Sequence, residues 1–392
     1  MVAHIFSRII VALWMLAVCN AIFPSMLMAQ GDMVKMWNIG GYCFDFRTVE
    51  LEVFPLSGIN RTNYPTFWYV DSENILRLIF SNGSIYNGEE NLLNDGENII
   101  TNEQAFRTRF VPVPRKNWVY CFLANKYLVI DLDKNEIIDE QPFDIKATEI
   151  PNILTVGHDN DNDIWLIDCS KESIYKYLLT SDGLSFYESV PWPDEIANAR
   201  AYINLSRDGT HFVTRNGFDI IYGKFDRSTA NFTVQSVKNL DYLVGGPEKN
   251  NAHTKDFHEC TFSYNSEYLY LFAFQELKYI MWQINITDDI PNYTSPTTIS
   301  FEDRIPGAIP LIRSYYGPDG KTYMVESRKG FVRALTYNED GVSTYIDYQV
   351  DKQKGYSLYL PKQAIALSTN NQSADPCEYF KKRKPTIIIE KP

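Results

Sequence analysis

One short pattern recurs six times along this chain, and that repeat limits what it can fold into more than any other feature. Each copy is a short apolar strand, a polar turn and a second strand rich in Tyr, Trp and Leu. The copies are TFWYVDSENILRLIF (66–80), RFVPVPRKNWVYCFL (109–123), ILTVGHDNDNDIWLI (153–167), YINLSRDGTHFVT (202–214), CTFSYNSEYLYLF (260–272) and LIRSYYGPDGKTYMV (311–325). Their turn residues Glu73, Lys116, Asp161, Asp208, Asn265 and Asp319 stand 43, 45, 47, 57 and 54 residues apart. Runs of β-branched and aromatic residues between Asn, Asp and Gly clusters read as strands.

Several copies continue into a third strand, a turn and a fourth: KYLVIDLDKNEII, SIYKYLLTSDGLSF, DIIYGKFDRSTANFT, YIMWQINITDD and GFVRALTYNEDGVS. A period of about 40 to 50 residues holding several strands is that of β-propeller blades. The expected fold is therefore all-β, a single propeller over residues 33–369. Six blades are counted directly. KMWNIGGYCFDFRTVELEVF (35–54) and STYIDYQV…YSLYLPKQAIAL (343–367) are each incomplete, and pairing them makes a seventh blade that closes the ring and hides its edges. Six and eight blades are the alternatives. WPDEIANARA (192–201) is the one stretch that suggests a short helix, and residues 370–392, with KKRK at 381–384, read as a polar tail.

Residues 1–29 read as a signal peptide: Arg8, then the apolar run 9–23, then small residues ending at Ala29. Asn20 and Pro24 interrupt the apolar stretch that reaches Ala29, which argues against a retained anchor, and Val18 spoils the lipoprotein box at LAVC (16–19). No later segment is apolar enough to span a bilayer. The expected location is secreted, periplasmic or at the cell surface. Cleavage removes one arginine and no acid, leaving 36 basic against 49 acidic residues and a net charge of −13. Such a chain is a poor partner for nucleic acid or anionic lipid. Cys43, Cys121, Cys169, Cys260 and Cys377 remain, widely spaced and without a CxxC, so zinc ribbons and redox motifs are excluded. A chain of this length can bury a core without disulfides, and these cysteines read as buried thiols within strands.

GHDNDNDIW (157–165) most resembles a metal site, because Asp159, Asp161 and Asp163 alternate with asparagines. An EF-hand loop counted from Asp159 needs Gly at position 6 and Glu at position 12, where this chain has Ile164 and Ser170. In register with the other copies it is a hairpin turn, with weak calcium binding as the most it offers, and no other cofactor is implied. His253, Asp256 and His258 match no standard metal spacing and read as a polar loop. GxSxG, GxGxxG and P-loop motifs do not occur. The seven Asn-x-Ser/Thr sequons, Asn231 among them, arise by chance in an Asn-rich chain.

A propeller offers a central channel lined by the first strand of each blade. Arg107 and Arg109 of the second copy, His258 and Glu259 of the fifth and Arg313 of the sixth are the candidate ligand-binding residues there. Converging arginines could hold an anionic group bidentately, and otherwise they are solvated channel-mouth residues. Exposed tyrosines between blades could serve as stacking faces for sugars or peptides, although most of the 26 are needed in the core.

The chain also resembles exported Bacteroidetes β-propeller proteins of the WD40-like or YVTN type, which often stand ahead of a gliding-motility-type C-terminal sorting domain. MWNIGGYCFDF (36–46) is similar to their Trp-x-Phe-Gly…Gly-Leu-Asp-Phe opening, and LRLIFSNGSIYNGEENLLNDG (76–96) to a strand and loop that follow it. FVPVPRKNWVYCFLA, VGHDNDNDIWLI and YINLSRDGTHFV match further segments in the same order over residues 36–335. The opening lacks the second Gly-Leu, and no sorting domain is recognisable after residue 370. The resemblance implies no catalytic residues. Together these readings lean away from an enzyme and toward a monomeric binding or scaffold module for protein or glycan at the cell envelope. The alternative is a lactonase-like propeller hydrolase with a divalent metal held in the channel by acidic and Asn residues of different blades.

Overall fold

Four of the repeated hairpins fold alike because the same hydrogen bond closes each of them, whereas the first closes from Asp71 N to Ile75 O (3.0 Å) with three residues between. The amide of Val113 donates to the Trp118 carbonyl (2.9 Å), His158 to Asp163 (2.8 Å), Ser206 to His211 (2.8 Å) and Ser263 to Tyr268 (2.7 Å). In these four hairpins four residues separate the bonded pair, although they read PRKN, DNDN, RDGT and YNSE. Turn geometry is thus repeated where turn sequence is not.

The protein is described by a computed structural model covering residues 36–349, apart from several connections, chiefly 56–66, 100–107, 144–152, 197–202, 245–256, 286–296 and 300–311, and shorter turns. Among the described residues the strands form seven antiparallel sheets, each pairing its strands in chain order. Sheet I holds β1 (Met36–Ile39), β2 (Tyr42–Asp45) and β3 (Glu52–Pro55), and sheet II holds β4 (Phe67–Val70), β5 (Leu76–Ser81) and β6 (Ser84–Asn87). The other five are four-stranded. Sheet III is β7 (Arg109–Pro112), β8 (Trp118–Phe122), β9 (Lys126–Asp131) and β10 (Glu136–Pro142), and sheet IV is β11 (Ile153–Gly157), β12 (Ile164–Cys169), β13 (Ser173–Thr180) and β14 (Gly183–Pro191). Sheet V is β15 (Asn204–Leu205), β16 (His211–Asn216), β17 (Asp219–Asp226) and β18 (Asn231–Asn239). Sheet VI is β19 (Phe257–Phe262), β20 (Tyr268–Gln275), β21 (Lys278–Asn285) and β22 (Thr297–Ile299), and sheet VII is β23 (Ile312–Tyr316), β24 (Thr322–Glu326), β25 (Phe331–Thr336) and β26 (Thr344–Gln349).

The second strands β8 (WVYCF) and β12 (IWLIDC) are apolar at nearly every position because both of their faces are covered, which removes the usual alternation of a one-sided sheet. Sheet III shows this. Val119, Cys121, Leu128 and Ile130 pack with Phe67, Leu78 and Phe80 of sheet II. Tyr120, Phe122 and Val129 pack with Ile164, Leu166 and Leu179 of sheet IV. The same relation joins sheets IV and V through Trp165, Ile167, Phe212, Phe225 and Phe232. Sheets V and VI meet through Val213, Ile220, Cys260, Leu271 and Trp282. First strands also lie side by side: β1 with β4, β4 with β7, β15 with β19, and β19 with β23. The ends of the described chain meet too, since the rings of Phe46, just after β2, and Tyr323, on β24, stand edge to face at 5.4 Å and 86°.

The outermost strands of sheets III, IV and V each carry a bulge, between Ile137 and Asp139, opposite Lys176 and Tyr177, and opposite Tyr222 and Gly223. Bulges twist exposed edges away from foreign strands. Cys43, Cys121, Cys169 and Cys260 are buried thiols, as the sequence suggests. Burial pushes the Cys121 thiol well above its ordinary pKa, so it is inert toward chemistry that needs a thiolate.

Two sequence expectations are corrected. STYIDYQV does not complete a blade with the N-terminal segment: β26 pairs along its whole length with β25, from Phe331↔Gln349 to Thr336↔Thr344. A strand seven residues from its hairpin partner closes a far smaller loop than one returning to the other end of the chain, and the shorter closure costs less entropy. Residues 356–367, the rest of the expected closing strand, lie outside the described residues, as do the signal sequence and the tail. The described part of the expected helix, residues 192–196, is a turn in which Ile196 N donates to Pro193 O. Helical structure elsewhere among the described residues is one 3-10 turn at Asp241–Val244.

Candidate functional site

Of the five channel candidates, Arg107 lies outside the described residues. His258 and Arg313 are placed on the inner strands β19 and β23 by their backbones alone. The other two are buried. Arg109 begins β7, opposite Phe122, and its Nη1 donates to the Thr108 carbonyl at 3.3 Å. Glu259 lies at a register shift in β19, and its Oε1 accepts from Asn204 Nδ2 at 3.2 Å. The same amide donates to the Cys260 carbonyl at 2.6 Å. The structure therefore brings together a carboxylate and an amide from the innermost strands of neighbouring sheets V and VI. Asn204 is the partner that the sequence reading had not paired with Glu259.

A richer constellation lies at the outer rim between sheets IV and V, where the β17–β18 turn of sheet V rests on the face of sheet IV. Asp226 shapes this turn, taking hydrogen bonds from Ser228 N (2.9 Å), Ser228 Oγ (2.7 Å) and Thr229 Oγ1 (2.8 Å). Arg227 then reaches across, its Nε donating to Gly157 O and its Nη2 to His158 O, both at 2.8 Å. In return Trp165 Nε1 donates to the Arg227 carbonyl at 2.7 Å. The His158 ring stacks on Trp165 at 5.4 Å.

GHDNDNDIW thus has a structural task. Asn160 Oδ1 accepts from the amides of Asn162 and Asp163, each at 3.1 Å, and Asn160 Nδ2 donates to Asp163 Oδ2 at 2.7 Å. Asp163 Oδ2 is thereby engaged inside the turn. Asp161 lies outside the described residues.

The second half of the rim is built on Lys176, in the middle of β13. Its side chain is fully buried, a rare place for an ammonium unless every proton is used. Here Nζ donates to Glu188 Oε1 (2.7 Å), Thr229 O (3.1 Å) and Asn231 Oδ1. Three donors meet three acceptors from two sheets, which offsets the cost of burying the charge.

The bulge in β14 decides what surrounds this lysine. Lys176 pairs with Glu188 and Tyr177 with Phe186, so Tyr187 is the extra residue. Phe186 turns to the sheet III side and meets Tyr177 at 5.6 Å. Tyr187 turns to the sheet V side and meets Trp165 at 5.0 Å and 82°. Regular alternation would set Tyr187 and Glu188 on opposite faces; the inserted residue places them on the same one. Phe186 and Tyr187 are 58% and 53% exposed, the most open large hydrophobic side chains among the described residues.

The sequence reading missed Lys176, Glu188 and Tyr187. A lone lysine inside the apolar run IYKYLL and tandem aromatics in an otherwise alternating strand were the available signals. Lys176→Met keeps the packed stem but orphans the Thr229 carbonyl. The expected cost is about 1–3 kcal/mol in urea unfolding, with Lys176→Ala costing more because it also opens a cavity. Glu188 is too exposed for its ion pair to add much to this figure.

Among the described residues no helix is long and apolar enough to cross a membrane, and no three His, Cys, Asp or Glu side chains are grouped as a metal site. No family model matches the chain, and no curated protein is similar to it. Solved structures with similar backbones include a 6-phosphogluconolactonase-like protein of Bacteroides fragilis NCTC 9343, at 14% identity and TM-score 0.48 over 81% of this chain and 93% of that one. A 6-phosphogluconolactonase-like protein of Bacteroides uniformis ATCC 8492 is similar at 15% identity and TM-score 0.47, over 79% and 92% of the two chains. Hsv2 of Kluyveromyces lactis is similar at 12% identity and TM-score 0.41, over 73% and 98%.

Proposed function

We propose that the chain is a closed seven-bladed β-propeller, exported to the cell envelope, that acts as a monomeric, non-enzymatic module binding protein or glycan. Seven consecutive sheets, each beside the next, with Phe46 of the first end against Tyr323 of the last, support a closed ring. Ring closure then rests on face packing between sheets I and VII, with residues 350–369 left to complete the propeller domain.

The observation that carries the binding reading is the Phe186–Tyr187 pair. Two large aromatic side chains stand more than half exposed on an outer strand, each held by an aromatic partner beneath it. Rigid exposed aromatics in this setting mark interaction sites rather than core. In the test, immobilised chain 30–392 is offered envelope proteins and polysaccharides. Stoichiometric retention of a defined partner, lowered at least tenfold by Phe186→Ala/Tyr187→Ala, is the expected result. Retention unchanged in the double variant would refute the reading.

The second reading, a hydrolase with a channel metal, is favoured by the Asn204–Glu259 pair, an amide and a carboxylate from adjacent inner strands. Metal analysis of the purified chain separates the two readings. A stoichiometric divalent ion lost on Glu259→Gln would establish the hydrolase-type site and overturn the binding-only function.

A further inference from the structure

We propose that the rim between sheets IV and V is a binding site for a pyranose ring of a neutral glycan, with Tyr187 as the stacking face and Glu188 and Asn231 as the hydroxyl-reading pair. The inference rests on the binding-module reading and names the ligand class and the residues.

It starts from what Lys176 leaves over. Its ammonium takes one oxygen of Glu188 and the amide oxygen of Asn231. Two groups bonded to one nitrogen lie no more than about 6 Å apart, so carboxylate and amide sit side by side. Each keeps its other half: among the described residues no other bond engages Glu188 Oε2 or Asn231 Nδ2. Both residues reach solvent, Glu188 with 40% of its side chain and Asn231 as an exposed residue. The result is an acceptor next to a two-proton donor, fixed in place by a buried cation beneath them.

Neighbouring hydroxyls on a sugar ring need this pairing, since each hydroxyl donates once and accepts besides. The apolar C–H face of the ring needs an aromatic surface, and the bulge delivers Tyr187 to the same side. Its ring is pinned edge-on to Trp165, which is itself fixed by Arg227 and His158. A platform with so little freedom loses little entropy when it binds.

The charges select a neutral ligand. The Lys176 ammonium is matched by the Glu188 carboxylate, so an anion finds no unmatched positive charge there. A basic peptide would use Tyr187 and Glu188, but Lys176 already balances that carboxylate, and a cation has no use for the Asn231 amide protons.

The test uses the mature chain, residues 30–392, on an array of neutral oligosaccharides of glucose, galactose, mannose, xylose and N-acetylhexosamines. Affinity for any retained sugar is then measured in solution. Binding to at least one oligosaccharide is expected. It should fall about tenfold or more in Tyr187→Ala, and likewise in Asn231→Asp, which still accepts from Lys176 but loses the donor. Leu92→Ala, an exposed apolar residue just after β6 of sheet II, should change it less than twofold. Unfolding midpoints check that all three variants stay folded. An array that retains nothing, or binding indifferent to Tyr187→Ala, overturns the proposal. An Asn231→Asp variant that binds a basic peptide more tightly than the parent does would assign the site to a cation instead. If the array is blank while a protein partner is still lost with Phe186→Ala/Tyr187→Ala, the binding-module function stands and only the sugar assignment falls.

Discussion

Replacing Gly223 with alanine should lower the unfolding free energy by about 3 kcal/mol or more, enough to leave much of the protein insoluble at ordinary growth temperatures. A Cβ built at this position would lie 2.2 Å from the Thr233 carbonyl oxygen and 2.5 and 2.7 Å from two carbons of the Phe212 ring. The oxygen cannot retreat, because Thr233 belongs to β18 and is paired with Lys224 next to the bulge. Phe212 cannot retreat either; it is fully buried in the core between sheets IV and V. Gly217→Ala is the control. Gly217 has φ +61° with open space around its Cβ position, so it should cost only the ~1 kcal/mol of a left-handed backbone. Urea unfolding of the two variants side by side, read as midpoints with unchanged slope, checks the prediction. Equal, small losses would mean that the bulge relaxes to admit the methyl.

Trp165→Ala should cost about 4–5 kcal/mol. The indole is fully buried, and truncating a buried Trp alone accounts for about 3–5 kcal/mol. The Arg227 carbonyl also loses its donor. His158 and Tyr187 each lose the ring they pack on, so the rim site should fail together with stability. Trp165→Phe separates the two effects. It keeps most of the packing and gives up the N–H bond, for an expected loss of about 1–2 kcal/mol. A Phe variant as unstable as the Ala variant would show that the indole hydrogen bond, rather than ring volume, holds sheets IV and V together.

Much of the fold was legible in the residues, and the same position shows why. Trp165, Tyr120 and Tyr270 hold equivalent places, each two residues beyond the carbonyl that closes its hairpin, on Asp163, Trp118 and Tyr268. Strand identity and hairpin register follow from patterns within some fifteen residues, and that is the range over which the repeat could be read. The meaning of GHDNDNDIW emerged from the same comparison: the missing Gly and Glu ruled out an EF-hand, and Asn160 now holds the turn. The channel candidates were placed on inner strands by the same logic, but what they touch was not. Glu259 meets Asn204, 55 residues earlier, and no local pattern encodes that pairing.

The rim site marks the limit most sharply. SIYKYLLTSDGLSFYESV identifies two strands and a turn, yet strict alternation would separate Tyr187 from Glu188, and an apolar strand has no evident use for Lys176. By itself the sequence determined the all-β repeat, the hairpin turns and the strands apolar on both faces, because these depend on neighbours along the chain. Only the tertiary structure decided that β26 stays with its own sheet, that a bulge turns Tyr187 and Glu188 to one side, and that Lys176 bonds to Thr229 and Asn231 of the next sheet. The physical reason is range: these outcomes depend on which sheet face meets which, on contacts made more than 50 residues apart, and on the need to satisfy every proton of a charge buried between them.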